Sequence, residues 1–340
     1  MGNLCPLEGM VMFWKDKKVL ITGHTGFKGS WLTMWLQILG AKVYGISDKK
    51  IFFNVLQEPE STIHDIRDAQ FLGMYVNNIK PDIVFHLAAQ PLVIDSYNDP
   101  VNTLTTNING TINLLESLRK NKPKAIVMVT TDKVYQNNEW EWSYRENEKL
   151  GGHDPYSASK ACSEIISASY RSSFDLNLAT ARAGNVIGGG DISENRLVPD
   201  VLSRKPIDIR SPNSIRPWQH VLEPLAGYIN LAEKLYDSPT YADAWNFGPY
   251  EQDARPVGWI VDKLQSMLNT NHCTIHEDNT YHEAKYLKLD ISKSCTFLGW
   301  KPKWDLEKAL FMIARWDDQY RKGRDALDIS KIQIEEYMND

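Results

Sequence analysis

The chain contains 340 residues, with 38 lysines and arginines against 43 aspartates and glutamates, and its formal net charge is −5. This length suits about two domains, or one domain with an attached lobe. Hydrophobic residues at 42% and charged residues at 24% are ordinary for a globular protein, and they exclude disorder, collagen and coiled coil for most of the chain. The acidic balance argues against a nucleic-acid partner bound through bulk charge.

Membrane, secretion and metal signals are missing from the sequence. No apolar run approaches the roughly 18–20 residues that cross a bilayer, and residues 1–12 lack the basic and apolar regions of a signal peptide. The eight histidines show no metal-ligand spacing, and the four cysteines are scattered: Cys5, Cys162, Cys273 and Cys295. We therefore expect a cytoplasmic protein with reduced thiols, no metal and no membrane contact.

Predicted strands and helices alternate through the first half of the chain. After an N-terminal extension over residues 1–16, which we expect to be loose, helical patterns cover 30–39, 103–119 and 157–174. Short apolar runs predict strands at 18–22, 42–46, 82–87, 125–131 and 176–181. This alternation is typical of an α/β, doubly wound, Rossmann-type parallel sheet with helices on both faces. We assign that domain to residues 17–184.

The pattern changes after Gly184, where elements become shorter and prolines more frequent. Helices are predicted at 217–235 and 304–320. We assign residues 185–325 to a smaller, mixed α/β C-terminal lobe that mainly binds the substrate. Residues 326–340 are polar, and we expect this tail to pack loosely.

A glycine-rich turn connects the first strand to the first helix. Gly23, Gly26 and Gly29 form a G-x-x-G-x-x-G pattern, which gives a tight turn, a close approach for a pyrophosphate and close packing of helix on strand. The helix N-terminus adds free N–H groups for the phosphates. The pattern predicts dinucleotide binding, with a plain βα turn as the alternative. An NTPase loop is disfavoured, because Lys28 precedes the last glycine instead of following it.

The acid that binds the adenosine ribose is expected about 20 residues after the glycines. Asp48 ends the second predicted strand and is the candidate, with an ordinary turn acid as the alternative. Lys49 and Lys50 follow it and would instead suit a 2′-phosphate. The sequence favours NAD and leaves NADP open.

Tyr156 and Lys160 stand four residues apart at the start of a predicted helix. This spacing places the phenol and the ammonium on one helix face. A nearby cation lowers the pKa of a tyrosine, so we expect Lys160 to let Tyr156 act as a general base. The pair follows the Val-Thr-Thr strand, as the glycine-rich turn follows the first strand.

These motifs together resemble the extended short-chain dehydrogenase/reductases that act on nucleotide sugars, and within them the nucleotide-sugar 4,6-dehydratases. The resemblance extends over residues 13–320. The segments 151–160, 181–191 and 216–225 narrow it to the dehydratases of CDP-glucose. Further segments that carry it are 23–32, 65–68, 86–93, 130–135, 196–200 and 286–290.

The resemblance implies NAD-dependent dehydration of CDP-glucose to CDP-4-keto-6-deoxyglucose, through oxidation at C4, elimination across C5–C6 and hydride return to C6. It implies that Tyr156, supported by Lys160, takes the 4-OH proton beside Thr131. Asp132 would be the general acid for the departing 6-OH. Lys133 replaces the glutamate of many related dehydratases and would be the base for the C5 proton. Ordinary charged residues at a strand end are the alternative for Asp132 and Lys133.

Cofactor contacts are also implied by the resemblance. His24 and Lys28 would lie beside the pyrophosphate, and Asp65 and Ile66 would flank the adenine. The residues implied to bind NAD are Gly23, His24, Gly26, Phe27, Lys28, Gly29, Asp48, Asp65, Ile66, Leu87, Ala88, Ala89, Tyr156 and Lys160. The segment between residues 46 and 65 is shorter than the family usually has, which bears on the adenosine contacts.

Substrate contacts implied by the resemblance lie on both sides of residue 184. Gln90 and Thr131 would face the sugar, and Asn185, Arg196 and Arg216 would hold the diphosphate. Arginine suits phosphate because its guanidinium binds two oxygens at once. A structural ion pair is the alternative for either arginine.

The resemblance further implies a homodimer or a homotetramer, formed through the helices predicted at 103–119 and 157–174. The apolar positions of these helices also suit packing against the sheet. Two other functions stay open at this point. One is a nucleotide-sugar 4-epimerase or dehydrogenase of the same family, which would not need Asp132 and Lys133. The other is a non-catalytic NAD-binding regulatory protein.

Overall fold

The computed structural model of the chain describes residues 6–49, 55, 60–193, 195–209, 211–275 and 285–340. Cys5 and Lys50, which entered the interpretation of the cysteines and of the ribose site, lie outside the described residues.

Long helices alternate with strands in the first half of the chain, and shorter strands follow. In chain order, strands β1 to β13 span Lys18–Thr22, Lys42–Ser47, Ser61–Ile63, Ile83–His86, Ala125–Val129, Leu178–Ala183, Val186–Ile187, Ile207–Ile209, Ile215–Pro217, Gln219–His220, Ala244–Phe247, Ala254–Pro256 and Cys273–Ile275. Helices α1 to α12 span Pro6–Trp14, Phe27–Ile38, Ala69–Ile79, Val93–Asn98, Pro100–Leu104, Gly110–Asn121, Pro155–Phe174, Leu197–Ser203, Leu222–Asp237, Val257–Leu268, Leu306–Arg321 and Ala326–Asn339. None of these helices has the length and hydropathy that crossing a bilayer requires.

A seven-stranded sheet forms the centre of the fold. Its order is β11-β6-β5-β4-β1-β2-β3, and every pairing is parallel. The chain starts at β1, winds outward to β3, then returns past β1 to β4 and winds the other way. This is the doubly wound Rossmann arrangement, in which ligands bind at the carboxyl ends of the strands where the direction reverses. The predicted fold class is confirmed.

Both faces of the sheet are covered, which explains the continuous apolar strands. In β1, Val19 and Ile21 face a core formed with α2 and α9. Leu20, between them, faces the opposite core formed with α3 and α6. Successive side chains of a strand point to opposite faces, so a strand covered on both sides needs apolar residues at every position.

The C-terminal lobe is built from short strand pairs and helices around a third core. The pairs β7–β10 and β8–β13 are parallel, and β9–β12 is antiparallel. Their core contains residues of α8, α10 and α11, among them Val201, Leu264 and Leu310. The mixed α/β character of this lobe agrees with the sequence prediction.

The central sheet extends beyond the predicted boundary at residue 184. Its outermost strand β11 pairs with β6, and helix α9 covers the same end of the sheet. The predicted boundary assigns both elements to the lobe, because sequence order alone does not show that the chain returns to the edge of the sheet. Helix α9 also begins at Leu222, five residues after the predicted start.

The N-terminal segment is more ordered than the expected loose extension. Helix α1 ends at Trp14, whose side chain is fully buried in the core beneath the sheet. The Trp14 indole Nε1 donates a hydrogen bond of 2.6 Å to Glu233 on α9. Burial of this large side chain fixes the segment, which composition alone did not predict.

The C-terminal tail also packs closely, in contrast to the sequence expectation. Ile329, Ile334 and Tyr337 of α12 are buried in the same core as α2. The Tyr337 hydroxyl donates a hydrogen bond of 2.8 Å to the buried carboxyl of Glu223. The tail is polar overall, but its apolar residues lie on one face of α12, as in an amphipathic helix that packs on a core.

Candidate active site

Four of the five predicted catalytic residues, all except Lys160, meet at a cavity of about 430 Å³ between the central sheet and the C-terminal lobe. It lies beyond the carboxyl ends of β5 and β6, the edge where doubly wound sheets bind ligands. Residues of α8, β8 and α10 from the lobe form its far wall. Of the predicted site residues, those that line it are Phe27, Lys28, Thr131, Asp132, Lys133, Tyr156, Asn185, Arg196 and Arg216.

The glycine-rich turn has the geometry that the sequence pattern predicts. Gly23 has φ +78°, and a Cβ there would lie 2.7 Å from the Ala88 backbone nitrogen. A Cβ on Gly29 would lie 2.0 Å from the Gly23 carbonyl oxygen. Gly26 precedes α2 and provides no side chain to cap its first turn. The uncapped N–H groups at this helix start suit an anion such as a pyrophosphate.

Lys28 and Phe27 extend from this turn toward the cavity. Burial, together with the charges of Lys160 and Arg196, lowers the pKa of Lys28 to about 7, and the charge of Asp132 partly opposes this. A Cβ on Gly188 of the lobe would lie 2.9 Å from the Phe27 ring. The cofactor turn therefore contacts the lobe directly.

His24 does not face the cavity. Its ring is buried, with Nε2 2.8 Å from the Ser61 hydroxyl and Nδ1 3.2 Å from the Ser47 hydroxyl. It fills the space over Gly45, where a Cβ would lie 2.2 Å from the ring. The pyrophosphate contact expected for His24 is therefore not available to its side chain, because the ring is turned toward β2 and β3.

The predicted adenosine residues surround an arginine that the sequence analysis missed. Asp48 is exposed at the end of β2. The pKa of Arg67 is raised by its hydrogen bond to Asp65 and, to a smaller extent, by the charges of Asp65 and Asp48. The Arg67 guanidinium binds both oxygens of Asp65 at 2.6–3.1 Å and Asn102 Oδ1 at 2.9 Å. Hydrogen bonding to Arg67 lowers the pKa of Asp65. Ile66 is buried against α6.

The turn after β4 lies directly against the glycine-rich turn. The Leu87 and Ala88 backbone N–H groups donate to Thr22, at 3.0 Å to its carbonyl and 3.2 Å to its hydroxyl. Ala89 follows and is half-buried. The Gln90 side-chain amide binds the Leu92 backbone at 2.6 and 3.1 Å. The contact of Gln90 with the sugar stays a prediction.

Thr131 and Asp132 form a short turn at the end of β5. The Thr131 hydroxyl donates a hydrogen bond of 2.9 Å to Asp132 Oδ1. Asp132 Oδ2 is buried with no hydrogen-bond partner among the described residues. Burial raises the pKa of Asp132, and the charge of Lys133 partly opposes this. A carboxyl whose pKa is raised holds a proton more readily and can act as a general acid.

Tyr156 and Lys160 lie on the first turns of α7. Asp154 caps this helix by accepting a hydrogen bond of 2.8 Å from the Ser157 N–H, and Pro155 occupies the first position. Tyr156 is 9% exposed and lines the cavity, and Lys160 Nζ donates to the Val129 carbonyl of β5 at 3.1 Å. The helix thus presents the phenol next to the residues that follow β5.

Electrostatics at this pair differ from the sequence expectation. Burial raises the pKa of Tyr156 to about 12, and the groups that act against this are Thr131 and Arg196. Burial also lowers the pKa of Lys160 to about 8. Burial therefore outweighs the lowering of the Tyr156 pKa that was expected from Lys160, whose ammonium donates to β5.

Three residues predicted at the diphosphate enter the cavity from the lobe side. Asn185 follows β6, and its carbonyl accepts a hydrogen bond of 3.0 Å from the Gln219 N–H. Arg216 is 3% exposed, and its Nη1 donates to the Ile215 carbonyl at 2.9 Å. Arg196 is less buried and forms an ion pair of 3.1 Å with Asp191. Arg196 therefore forms the structural ion pair that was the alternative to phosphate binding, and it also lies on the cavity wall.

A buried ion pair behind the site was also missed. Glu164 of α7 binds Arg182 of β6 at 3.0 Å, and both side chains are at most 4% exposed. Glu164 also accepts hydrogen bonds from the hydroxyls of Thr130 at 2.5 Å and Thr180 at 2.7 Å. Glu164 thereby attaches α7, the helix that carries Tyr156, to β6 and to the end of β5, close to Thr131 in the chain. Its position four residues after Lys160, on the same helix face, was the available signal.

In the described ranges, no group of three or more His, Cys, Asp or Glu residues is arranged to hold a metal ion. A doubly wound sheet, a glycine-rich turn and a Tyr–Lys pair on the helix after β5 define the class: an extended short-chain dehydrogenase/reductase.

Comparisons with known proteins show which family within this class the chain matches. The profile of the GDP-mannose 4,6 dehydratase family matches residues 20–313. The chain is 46% identical to a CDP-glucose 4,6-dehydratase of Salmonella typhimurium, over 96% of this chain and 98% of the relative. It is 28% identical to a dTDP-glucose 4,6-dehydratase of Streptomyces antibioticus, over 90% of this chain and 93% of the relative.

Solved structures share the fold. The epimerase Mth375 of Methanothermobacter thermautotrophicus aligns with a TM-score of 0.84 at 20% identity, over 94% of this chain and 98% of that one. DesIV, a dTDP-glucose 4,6-dehydratase of Streptomyces venezuelae solved with NAD bound, aligns with a TM-score of 0.79 at 22% identity, over 91% and 99%. The chain belongs to the GDP-mannose 4,6 dehydratase family of nucleotide-sugar dehydratases.

Proposed function

We propose that this chain catalyses the NAD-dependent dehydration of CDP-glucose to CDP-4-keto-6-deoxyglucose and water. The observation that carries the proposal is the convergence of Tyr156, Asp132 and Lys133 on one cavity. An epimerase or a simple dehydrogenase needs the tyrosine but has no elimination that requires the other two. The cytidine nucleotide is supported by the 46% identity to the Salmonella enzyme.

NAD fits the residues present at the proposed cofactor site. The glycine-rich turn leaves no room for side chains, and the uncapped start of α2 would hold the pyrophosphate. Asp48 would bind the adenosine ribose. A 2′-phosphate is disfavoured there, because the donors of Arg67 are already bound to Asp65 and Asn102. When bound, NAD supplies an acceptor for the C4 hydride and returns that hydride to C6.

Tyr156 would start the reaction by taking the proton of the sugar 4-OH. Its phenol is protonated in the free protein, since burial raises the Tyr156 pKa to about 12. The phenolate must therefore be stabilised when ligands are bound, and Thr131, Arg196 and the nearby Lys160 are the groups in place to do so. The oxidised sugar carries a carbonyl at C4.

Elimination of water would then use the two residues after Thr131. The C4 carbonyl acidifies the neighbouring C5 proton, which Lys133 removes. Asp132 donates its proton to the C6 hydroxyl, which leaves as water, and a C5–C6 double bond forms. Addition of the hydride at C6 and return of a proton to C5 from Lys133 complete the 4-keto-6-deoxy sugar. Burial of the Asp132 carboxyl, which raises its pKa, and the unpartnered Oδ2 among the described residues support this assignment.

Mass spectrometry of CDP-glucose incubated with the protein and NAD⁺ tests the proposal. We expect a sugar nucleotide lighter by one water, with no net formation of NADH. A product of equal mass in a different sugar configuration would indicate an epimerase, and net NADH with loss of two hydrogens would indicate a dehydrogenase. If CDP-glucose stays unchanged and a UDP-, GDP- or dTDP-sugar is turned over instead, the proposal of a cytidine nucleotide as the substrate is refuted.

We also propose that the protein is a homodimer or a homotetramer that associates through the helical residues 103–119, which run from the end of α5 into α6, and through residues 157–174 of α7. Val101 on α5 is 69% exposed and Ile165 on the adjoining helix α7 is 59% exposed, and exposed apolar side chains on two neighbouring helices suit an interface. Light scattering coupled to gel filtration tests this proposal. Ile165→Glu should yield a monomer, whereas Phe311→Glu, at an exposed apolar position on α11, should not.

We propose a cytoplasmic location because the described cysteines are free thiols. Cys162, Cys273 and Cys295 are free thiols in the described part of the chain. Free thiols persist in a reducing compartment. Fractionation of the producing cells, followed by immunodetection, tests the location.

A further inference from the structure

Asp191 is a carboxylate in the wall of a cavity that is proposed to bind a diphosphate. It follows Gly188–Gly190 in the loop after β7, and its side chain is 4% exposed. A buried negative charge would repel an anionic substrate, and burial of a charge is costly unless it is paired. The proposed mechanism gives this residue no role, so its presence in the wall requires a reason.

Both oxygens of Asp191 are engaged. Oδ1 accepts a hydrogen bond of 3.1 Å from the Ser193 N–H, which closes the loop on itself. Oδ2 accepts a hydrogen bond of 3.1 Å from Arg196 Nη1. Among the described residues this is the one hydrogen bond that the Arg196 guanidinium makes. Since a guanidinium has five N–H donors, four are left for a ligand in the cavity.

Arg196 lies between the catalytic tyrosine and the glycine-rich turn of the proposed cofactor site. Its side chain is one-third exposed and lines the cavity. Its charge acts on Tyr156 of α7 and on Lys28 of the glycine-rich turn, and it lowers the pKa of each. The guanidinium therefore lies within electrostatic range of the phenol and of the start of α2. A long, flexible arginine side chain holds such a position only if something fixes it.

We propose that Asp191 is a positioning residue that holds Arg196 with its remaining N–H groups directed at the substrate diphosphate, so that the sugar is kept against Tyr156. The inference rests on the proposed function, because it takes a sugar nucleotide as the ligand. The buried carboxylate of Asp191 pairs with the partly exposed Arg196 guanidinium when no ligand is bound. When the diphosphate binds, the arginine is already oriented, which lowers the ordering cost of binding.

A double-mutant cycle on Asp191 and Arg196 tests the proposal. The variants are Asp191→Ala, Arg196→Gln and the double variant, with KM and kcat measured for CDP-glucose and the dissociation constant measured for CDP by calorimetry. We expect Asp191→Ala to raise KM and the CDP dissociation constant by roughly tenfold, with kcat changed much less. In the Arg196→Gln background the same change should have little further effect, because the residue acts through the arginine.

Two further variants separate positioning from a structural role. Asp191→Glu, which keeps the charge, should recover part of the affinity. Asp262→Ala removes one negative charge from an exposed position on α10 that does not line the cavity, and should leave the CDP dissociation constant unchanged. Additive effects of Asp191→Ala and Arg196→Gln, or tighter CDP binding by Asp191→Ala, would overturn the inference.

The outcomes also distinguish the inference from the proposed function. Coupled effects on CDP binding without dehydration of CDP-glucose would refute the reaction and keep the role of Asp191. Dehydration with additive effects would keep the reaction and refute that role. Absence of CDP binding by the unaltered protein would refute both.

Discussion

The Thr131 hydroxyl binds Asp132 Oδ1 at 2.9 Å, while Oδ2 of the same carboxyl is buried without a partner in the described ranges. Thr131 thereby fixes the orientation of the carboxyl and leaves one oxygen for a ligand. Since burial also raises the pKa of Asp132, that oxygen can hold a proton at the end of β5. Lys133, the next residue, lines the same cavity. Acid and base are therefore neighbours in sequence, on one short turn.

Asp132→Asn should block elimination while oxidation at C4 remains possible. An amide cannot give a proton to the leaving hydroxyl, so we expect the rate of water loss to fall by about 10²–10⁴-fold. Lys133 is unchanged, so recovered CDP-glucose should still gain deuterium at C5 in heavy water. Mass spectrometry measures both quantities. Water loss at the rate of the unaltered protein would remove Asp132 from the mechanism.

Lys133→Met should abolish both reactions. Without the amine no group takes the C5 proton, and we expect loss of deuterium exchange at C5 together with loss of dehydration. The matched control is Lys149→Met, at an exposed lysine outside the cavity, which should behave like the unaltered protein. Retention of C5 exchange in Lys133→Met would show that a different residue is the base.

Glu164→Gln tests the ion pair behind the catalytic helix. The change leaves the Arg182 guanidinium buried without its carboxylate, and we expect a loss of about 3–5 kcal/mol in the free energy of unfolding. Urea titration measures this loss. Glu116→Gln is the control, because it breaks the pair of Glu116 with Arg119, which is exposed on both sides, and should cost about 1 kcal/mol or less. Equal losses would show that the buried pair does not stabilise the attachment of α7.

Much of the fold could be predicted from local patterns in the sequence. The alternation of apolar runs and helices predicts the doubly wound sheet, and the glycine spacing predicts the turn whose close contacts exclude a Cβ. Helix periodicity also places Tyr156 and Lys160 on one face. Each of these signals depends on residues within one or two elements, where spacing decides geometry.

The features that the sequence did not predict depend on distant packing. His24 turns away from the cavity because Gly45, on the neighbouring strand, leaves space for its ring. Strand β11 joins the sheet edge after a long excursion through the lobe. The spacing of Tyr156 and Lys160 does not reveal their burial, and burial decides the direction of both pKa shifts. Pairwise patterns carry no information about desolvation.

Tyr337→Phe tests how the C-terminal helix is attached, and its effect should depend on pH. The Tyr337 hydroxyl donates to Glu223, and burial raises the pKa of that carboxyl to about 7. Because the pKa in the folded protein lies above its unfolded value, stability falls as the pH rises from the unfolded value to about 7. The hydrogen bond from Tyr337 opposes this fall by stabilising the charged carboxylate.

Loss of that hydroxyl should therefore cost little at about pH 5.5, where Glu223 is protonated, and about 1–2 kcal/mol more at about pH 8. Urea unfolding of Tyr337→Phe at both pH values measures the difference. Tyr250→Phe, at an exposed tyrosine, should show no pH-dependent cost. A cost for Tyr337→Phe that is equal at the two pH values would show that the bond does not act on the charge of Glu223. A cost that grows with pH would show that the tail, although polar in sequence, is held to the core through a titrating carboxyl.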